Sequence, residues 1–347
     1  MIALLLSNKL GLSMKSKLLE NQKLGFGTAP LGNMFRNIPE EEALATITEA
    51  WNQGIRYFDT APFYGAGLAE IRLGQVLKNY NRDEYTLSSK VGRIILDEEV
   101  ESQEFGEKGA LFEHGRKNRV VNDYTASATL RSIEDSLKRL DTDSLDIVYV
   151  HDIAQDFYGD NWLAKFEEAR NGAFKVLADL KKEGVIKSWG LGVNKVEPIE
   201  LALNLEEDKP DAFLLAGRYT LLDHELALQR LMPKAAAQKV DIIVGGPYSS
   251  GILAGGSNFE YQKAPTHIVN KVAKIKAVCE KFSVSIKAVA LQFVLANDAV
   301  SSVIPGASKP SRIAEDISAL EEKVPHELWL ELKREGVISE LAPTPTK

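Results

Sequence analysis

A short apolar strand followed by a helix with one apolar face recurs eight times along this chain, and that alternation limits its fold more than any single motif. The strands are expected at 24–28, 56–59, 85–91, 145–150, 189–193, 212–216, 241–245 and 302–304. The helices between and after them are expected at 39–53, 69–78, 125–140, 172–183, 198–205, 225–238, across 268–296 and at 310–320. Local chemistry marks the boundaries. Pro39 suits a first helical turn, Glu40, Glu41 and Glu42 face the positive end of the helix dipole, and Gly54 stops the helix. Leu130, Ile133, Leu137 and Leu140 fall on one helical face. Several strands are nearly continuous apolar runs, as parallel strands buried on both faces should be.

Strand–helix alternation permits a doubly wound sheet or a closed barrel. Eight units within 347 residues favour a single-domain (β/α)8 barrel of the TIM type. A dinucleotide-binding Rossmann sheet wants G-x-G-x-x-G between its first strand and helix. The chain has GFGTAPLG at 25–32, which does not fit that spacing. The expected division is a flexible leader at 1–22, with Met14 a candidate start, a barrel at 23–325 and a C-terminal tail at 326–347.

Composition excludes other classes. The hydrophobic share is 44% and the charged share 26%, against a disordered tail or a coiled-coil rod. A formal net charge of −7, with no Lys/Arg-rich run, gives no pull on nucleic acid or anionic lipid. The longest apolar stretches fall short of the about 18 residues a membrane span requires. Cys279 is the single cysteine, so no intrachain disulfide forms, which fits a reducing, cytoplasmic setting. It reads as a small buried apolar residue. The five histidines are scattered without metal-ligand spacing, and no metal is expected.

In a barrel of this kind the chemistry sits at the C-terminal ends of the strands. Four polar residues fall there. Asp59 ends the second strand, Tyr64 lies in the loop after it, Lys90 ends the third strand and His151 ends the fourth. Singly, each has an ordinary reading as a cap, a rim aromatic, a solvated charge or a core histidine. Together they place an acid, a phenol, an amine and an imidazole at one end of neighbouring strands.

The runs GFGTAPLG, GIRYFDTAPFYGAGLAEIRLGQVL, LSSKVG, SLDIVYVHD, WGLGVN and IPGASKPSRIAED resemble the aldo-keto reductases from about residue 23 to 320. Within that family the chain is most similar to the aldose 1-dehydrogenase branch, whose members act on L-fucose, D-threo-aldoses, L-galactose or pyridoxal. The resemblance implies a catalytic tetrad of Asp59, Tyr64, Lys90 and His151. An ammonium beside a phenol is expected to lower its pKa, so that Tyr64 can act as a general base. Asp59 would orient Lys90, and His151 would hold the reacting oxygen. Hydride passes to a nicotinamide, because no side chain carries it.

The resemblance also implies a cofactor site. Gly27, Thr28 and Asp59 belong to it near the first strands, and Asn194 at a carboxamide-contacting position. Gly245, Pro247, Tyr248 and Ser250, in GGPYSSG, fall where the family clamps the pyrophosphate. Gly306, Ala307, Arg312, Glu315 and Asp316 surround the adenosine, where the last strand meets a helix N-terminus suited to phosphate. The family's NADPH users commonly carry Lys-Ser where this chain has Gly306 and Ala307. That favours NAD as the preferred cofactor, with NADP possible. Gly245 replaces a common nicotinamide-stacking aromatic, Lys195 a usual Asn, and a frequent Gln is missing near Ala216.

The long irregular stretch 92–123 follows Lys90 and is expected to form a substrate lid, with Phe105, Phe112 or His114 touching ligand. The loop 151–161, rich in Asp and aromatics, is a candidate source of sugar-binding groups. The implied function is oxidation of an aldose at C1 to the lactone, by a monomer or homodimer. The alternatives are a pyridoxal-type or other small aldehyde as substrate, and a non-catalytic, cofactor-binding regulatory subunit.

Overall fold

The computed structural model describes residues 19, 21–104 and 110–346. In chain order its strands are β1 (Phe26–Gly27), β2 (Tyr57–Asp59), β3 (Thr86–Val91), β4 (Arg93–Glu99), β5 (Asn118–Asn122) and β6 (Ile147–His151). There follow β7 (Ser188–Val193), β8 (Ala212–Ala216), β9 (Asp241–Gly245), β10 (Asn258–Phe259), β11 (Gln262–Lys263) and β12 (Val300–Ile304). Eight of them form a parallel sheet in the order β1-β2-β3-β6-β7-β8-β9-β12. The sheet closes on itself. Gly25 N–H donates to Val303 O at 2.9 Å, Val303 N–H to Lys23 O at 2.9 Å, and Gly27 N–H to Pro305 O at 3.0 Å. This is the (β/α)8 barrel that the eightfold alternation predicts.

Period-2 alternation divides each strand between two cores. Tyr57, Ile147, Tyr149, Leu214, Ile243 and Ile304 pack together in one buried cluster. Phe58, Val148, Leu191, Ile242 and Leu291 belong to a larger one shared by strands and surrounding helices. On β2 the parity that turns Tyr57 into the smaller cluster also governs Asp59. It is the parity that Ser88 and Lys90 share on β3, and Tyr149 and His151 on β6.

The structure departs from the sequence reading in three places within the barrel. The stretch 92–123 is not an irregular excursion: β4 and β5 pair as an antiparallel hairpin, with Ile94 opposite Val121 and Ile95 opposite Val120. Phe105 lies outside the described residues. The helix expected at 172–183 begins earlier, as Trp162–Ala169, and runs through a π-helical turn at Arg170–Phe174 into Lys175–Lys182. The helical sequence over 268–296 is two helices, Thr266–Lys281 and Ile286–Leu295. They break where Ser283 turns left-handed (φ 55°) and the Ser285 side chain caps the second.

The C-terminal segment is also more integrated than the expected tail, and so is Leu19 of the expected leader. Leu19 is buried in the same cluster as Tyr57 and Ile147, while 1–18 lie outside the described residues. Residues 326–334 form a helix, His326–Arg334, whose Leu328, Trp329 and Leu332 are wholly buried. Val337, Ile338 and Ala342 beyond it join the same core. Cys279 is buried on Thr266–Lys281, and burial pushes its thiol up to about 12, so it serves as an apolar residue. Among the described residues, no helix is long and apolar enough to cross a membrane.

Because Trp329 is a structural anchor rather than part of a tail, Trp329→Ala is expected to cost about 3–5 kcal/mol. Urea unfolding checks this: the midpoint should fall with an unchanged slope.

Candidate active site

β2, β3 and β6 are adjacent, and their register sets Asp59 opposite Ser88 and Lys90 opposite Tyr149. Lys90 Nζ donates to Asp59 Oδ2 at 2.7 Å and to Thr60 O at 2.8 Å. Ser88 Oγ donates to Asp59 Oδ1 at 2.7 Å. Tyr64 reaches the same place from the turn after β2. That turn sits directly on the one at 29–32, because a Cβ on Gly65 (φ +67°) would lie 2.3 Å from Gly32 O. Lys90 Nζ stands 4.8 Å from the centre of the Tyr64 ring, and the Tyr64 and His151 rings meet edge to face at 5.9 Å. Asp59, Tyr64, Lys90 and His151 all line one cavity of ≈ 450 Å3.

The electrostatics revise one expectation. Removal from water raises the Tyr64 phenol well above its ordinary value of 10.0, and Asp59 and Asp152 push the same way against Arg93. The charge of Lys90 is matched by Asp59 at 2.7 Å, so the phenol faces an ion pair rather than a bare cation and burial decides the direction. Burial presses the Asp59 carboxyl upward, opposed by Lys90 and Ser88. Burial, Lys90 and Arg93 together hold His151 well below its usual value, so its ring is neutral at pH 7. A neutral imidazole keeps one N–H to donate. His151 Nε2 lies 3.4 Å from Asp152 Oδ2, and Nδ1 has no partner among the described residues. Burial, opposed by Arg93, carries Asp152 up to about 6.

From the tetrad the cavity extends to the start of the helix Pro310–Glu321. Of the residues expected to hold cofactor, Gly27, Asp59, Asn194, Gly245, Pro247, Tyr248, Ser250, Gly306, Arg312 and Asp316 line it. Thr28, Ala307 and Glu315 do not. The buried Thr28 hydroxyl donates to Asp59 O at 3.0 Å, Ala307 packs into the core, and Glu315 pairs with Arg312 at 2.9 Å and Lys287 at 3.2 Å. Asn194 Nδ2 donates to Asp156 Oδ2 at 3.2 Å, and Tyr248 OH to Asp316 Oδ1 at 2.6 Å. The walls suit an extended dinucleotide. Gly217 and Gly251 line the cavity, and a Cβ on either would meet nothing within 4 Å, so room is left where a side chain would intrude. The far end offers a helix N-terminus to phosphate.

Several cavity residues escaped the sequence reading. Arg218 donates to Asn194 O at 2.8 Å, pairs with Asp223 at 2.7 Å, and also pairs with Glu260 in the turn joining β10 and β11. Its signal stood in LLAGRY, two residues past Ala216. Arg93, which follows Lys90 in KVGR, does not line the cavity but is buried behind its wall, where it pairs with the lining residue Asp152 at 2.7 Å. Arg36 lines the cavity and donates to Ser308 O at 2.9 Å. Lys287 pairs with Asp316 at 2.5 Å from a helix remote in sequence, and no local pattern marks it. Of the expected lid contacts, Phe112 lines the cavity with its ring 5.2 Å from that of Phe63. His114 does not line it, and its carbonyl accepts from Asn33 Nδ2 at 2.8 Å. The 151–161 segment brings Asp152 and Phe157 to the wall.

The profile of the Aldo/keto reductase family matches residues 23–334. The chain is 36% identical to pyridoxal 4-dehydrogenase of Microbacterium luteolum over 329 residues, covering 91% of this chain and 94% of that protein. It is 32% identical to D-threo-aldose 1-dehydrogenase of a Pseudomonas species over 327 residues, covering 93% and 95%. The holo form of an aldo-keto reductase from Bacillus halodurans matches the fold with a TM-score of 0.69 at 24% identity, over 96% of this chain and 98% of that one. With family, barrel and strand-end constellation in agreement, the chain belongs to the aldo/keto reductase family and is an NAD(P)-dependent oxidoreductase.

Proposed function

We propose that this protein oxidises an aldose at C1 to the lactone, with NAD as the preferred cofactor. The observation that carries the reading is the meeting of Tyr64, the Lys90–Asp59 pair and His151 in one cavity that also reaches Arg312 and Asp316 on the helix Pro310–Glu321. A nicotinamide bound there supplies the hydride acceptor. Tyr64 takes the proton of the anomeric hydroxyl as the C1–H bond breaks and its electron pair leaves with the hydrogen, so C1 becomes the lactone carbonyl. Read backwards, the phenol returns the proton to the carbonyl oxygen. The neutral His151 ring donates to that oxygen and fixes its position. Lys90, held by Asp59 and Thr60 O, places a positive charge beside the Tyr64 ring, where a developing phenolate is favoured.

The preference for NAD rests on charge at the adenosine end. Arg36 is paired with Glu42 at 2.8 Å, Arg312 with Glu315 at 2.9 Å, and Lys287 with Asp316 at 2.5 Å. A 2′-phosphate would have to compete with those carboxylates for each of these three cations. A second reading, an aromatic aldehyde of the pyridoxal type, is favoured by the rings of Phe63, Phe112 and Phe157 on the cavity wall.

Purified protein offered a panel of aldoses and aldehydes with each cofactor, followed at the NADH absorbance band, tests both readings. An aldose should give the highest kcat/KM, and NAD should exceed NADP. Cofactor binding without turnover of any substrate would point to a non-catalytic regulatory subunit instead. Tyr64→Phe should lower kcat by about 10²–10⁴-fold, the usual worth of a positioned acid–base group.

The raised phenol sets a pH dependence. Oxidation uses the ionised form, scarce at pH 7, so its rate should climb about tenfold per pH unit below the phenol's pKa. Reduction uses the protonated form and should stay flat over the same range. Lys90→Met leaves Asp59 unmatched beside the phenol, and should move the alkaline limb of oxidation further up. Initial rates in both directions between pH 6 and pH 10 check the pair of profiles.

A further inference from the structure

The tetrad chemistry leaves Asp152 unexplained. β6 ends at His151, and the next residue turns left-handed, with φ 56°. That region crowds a β-carbon, and aspartate enters it more readily than most residues because its short polar side chain bonds locally. A glycine would sit there without strain, yet the chain keeps a carboxylate. The turn sets that carboxylate on the cavity wall with Tyr64 and His151.

The carboxylate is built in rather than incidental. Its side chain is 5% exposed, and Arg93 Nη2 meets Oδ2 at 2.7 Å. The Arg93 guanidinium lies 3.8 Å from the Phe63 ring centre and 4.8 Å from that of Phe157. Asp152 N–H donates to Gly192 O at 2.9 Å, which holds the turn against β7. Oδ2 is 3.4 Å from His151 Nε2. A donor and an acceptor therefore stand side by side, about as far apart as two oxygens on neighbouring carbons. If His151 grips the reacting oxygen, the next group along the substrate lies against an ionised acceptor.

We propose that Asp152 is a specificity-determining residue that accepts a hydrogen bond from a hydroxyl on the carbon next to the reacting carbon, with Arg93 as the positioning residue that holds it. The site thereby selects 2-hydroxy carbonyl compounds and their ring forms over simple aldehydes. This rests on the oxidoreductase reading of the same cavity. A hydrogen bond to a charged acceptor is worth enough to separate such substrates by about tenfold or more.

The test compares reduction of lactaldehyde and propanal, which differ only in the 2-hydroxyl, by the full-length protein with each reduced cofactor. The wild type should favour lactaldehyde by about tenfold or more in kcat/KM. Asp152→Gly takes up φ 56° freely and removes the carboxylate, and should abolish that preference, with kcat/KM falling at least about tenfold more for lactaldehyde than for propanal. Asp152→Asn keeps the shape and a weaker neutral acceptor, and should reduce the preference by about threefold or more even if the glycine variant does not fold. Equal losses on both aldehydes, or an unchanged preference in both variants, would overturn the assignment. A wild type that reduces both aldehydes equally would overturn the assignment alone. A wild type that reduces neither with either cofactor would overturn the oxidoreductase reading together with it.

Discussion

A lysine and an aspartate, both almost wholly out of water and 2.7 Å apart, set the terms for everything around them. Neither charge is tolerable alone at that depth, and breaking such a pair typically costs about 3–5 kcal/mol. The pair exists because adjacent parallel strands deliver it. Asp59 is opposite Ser88, Lys90 lies two residues further on the same face, and the Ser88 hydroxyl and Thr60 carbonyl satisfy what the ion pair leaves over. The barrel thus spends its register on one polar contact at the mouth. Deeper in, the same faces carry Tyr57 and Tyr149, whose hydroxyls approach to 3.2 Å.

That pair explains why Tyr64 is not acidic by default. Its phenol looks across at a lysine already matched, at two carboxylates and at a guanidinium, and removal from water decides the balance upward. The resting site therefore favours a proton on the phenol oxygen, while the ammonium close to the ring lowers the cost of losing it when charge develops. On the reading proposed above, that proton is the one Tyr64 exchanges with the substrate, and burial, Lys90 and Arg93 keep the His151 ring neutral beside it.

Much of this was legible in the sequence because it follows from short periods. Strand and helix repeats specify a barrel, and a barrel places strand-end residues together, so Asp59, Lys90 and His151 could be found from position alone. Tyr64 needed the family pattern, since it stands in a loop. What was not legible depends on side chains meeting across distant segments. Lys287 reaches Asp316 from a separate helix, and Arg218 reaches Glu260 over forty-two positions of chain. Thr28 and Ala307 follow the expected pattern and yet turn their side chains away, because a hydroxyl can be consumed by a neighbouring carbonyl and a methyl can fill a core. The hairpin of β4 and β5 was missed because its strands mix charged and apolar residues without clean alternation. The closing helix was missed because a strand–helix count ends at eight units.

The two ends of the cavity treat charge in opposite ways, and the contrast follows from burial. At the end near the helix Pro310–Glu321, Arg36 and Arg312 sit near the surface, paired with Glu42 and Glu315 and screened by solvent, while Lys287 and Asp316 lie deeper. A ligand there gains from shape and from the helix N-terminus more than from any one ion pair. At the reacting end Lys90, Asp59, Arg93 and Asp152 are all buried in two ion pairs, so water screens their fields little although each charge is partly offset by its partner. A substrate that brings polar groups to those fixed charges is stabilised, and one that brings only carbon leaves them facing a poor solvent. Discrimination is therefore concentrated within a few ångströms of the reacting carbon, where Arg93 stacks on Phe63 and leaves Asp152 little freedom to adjust.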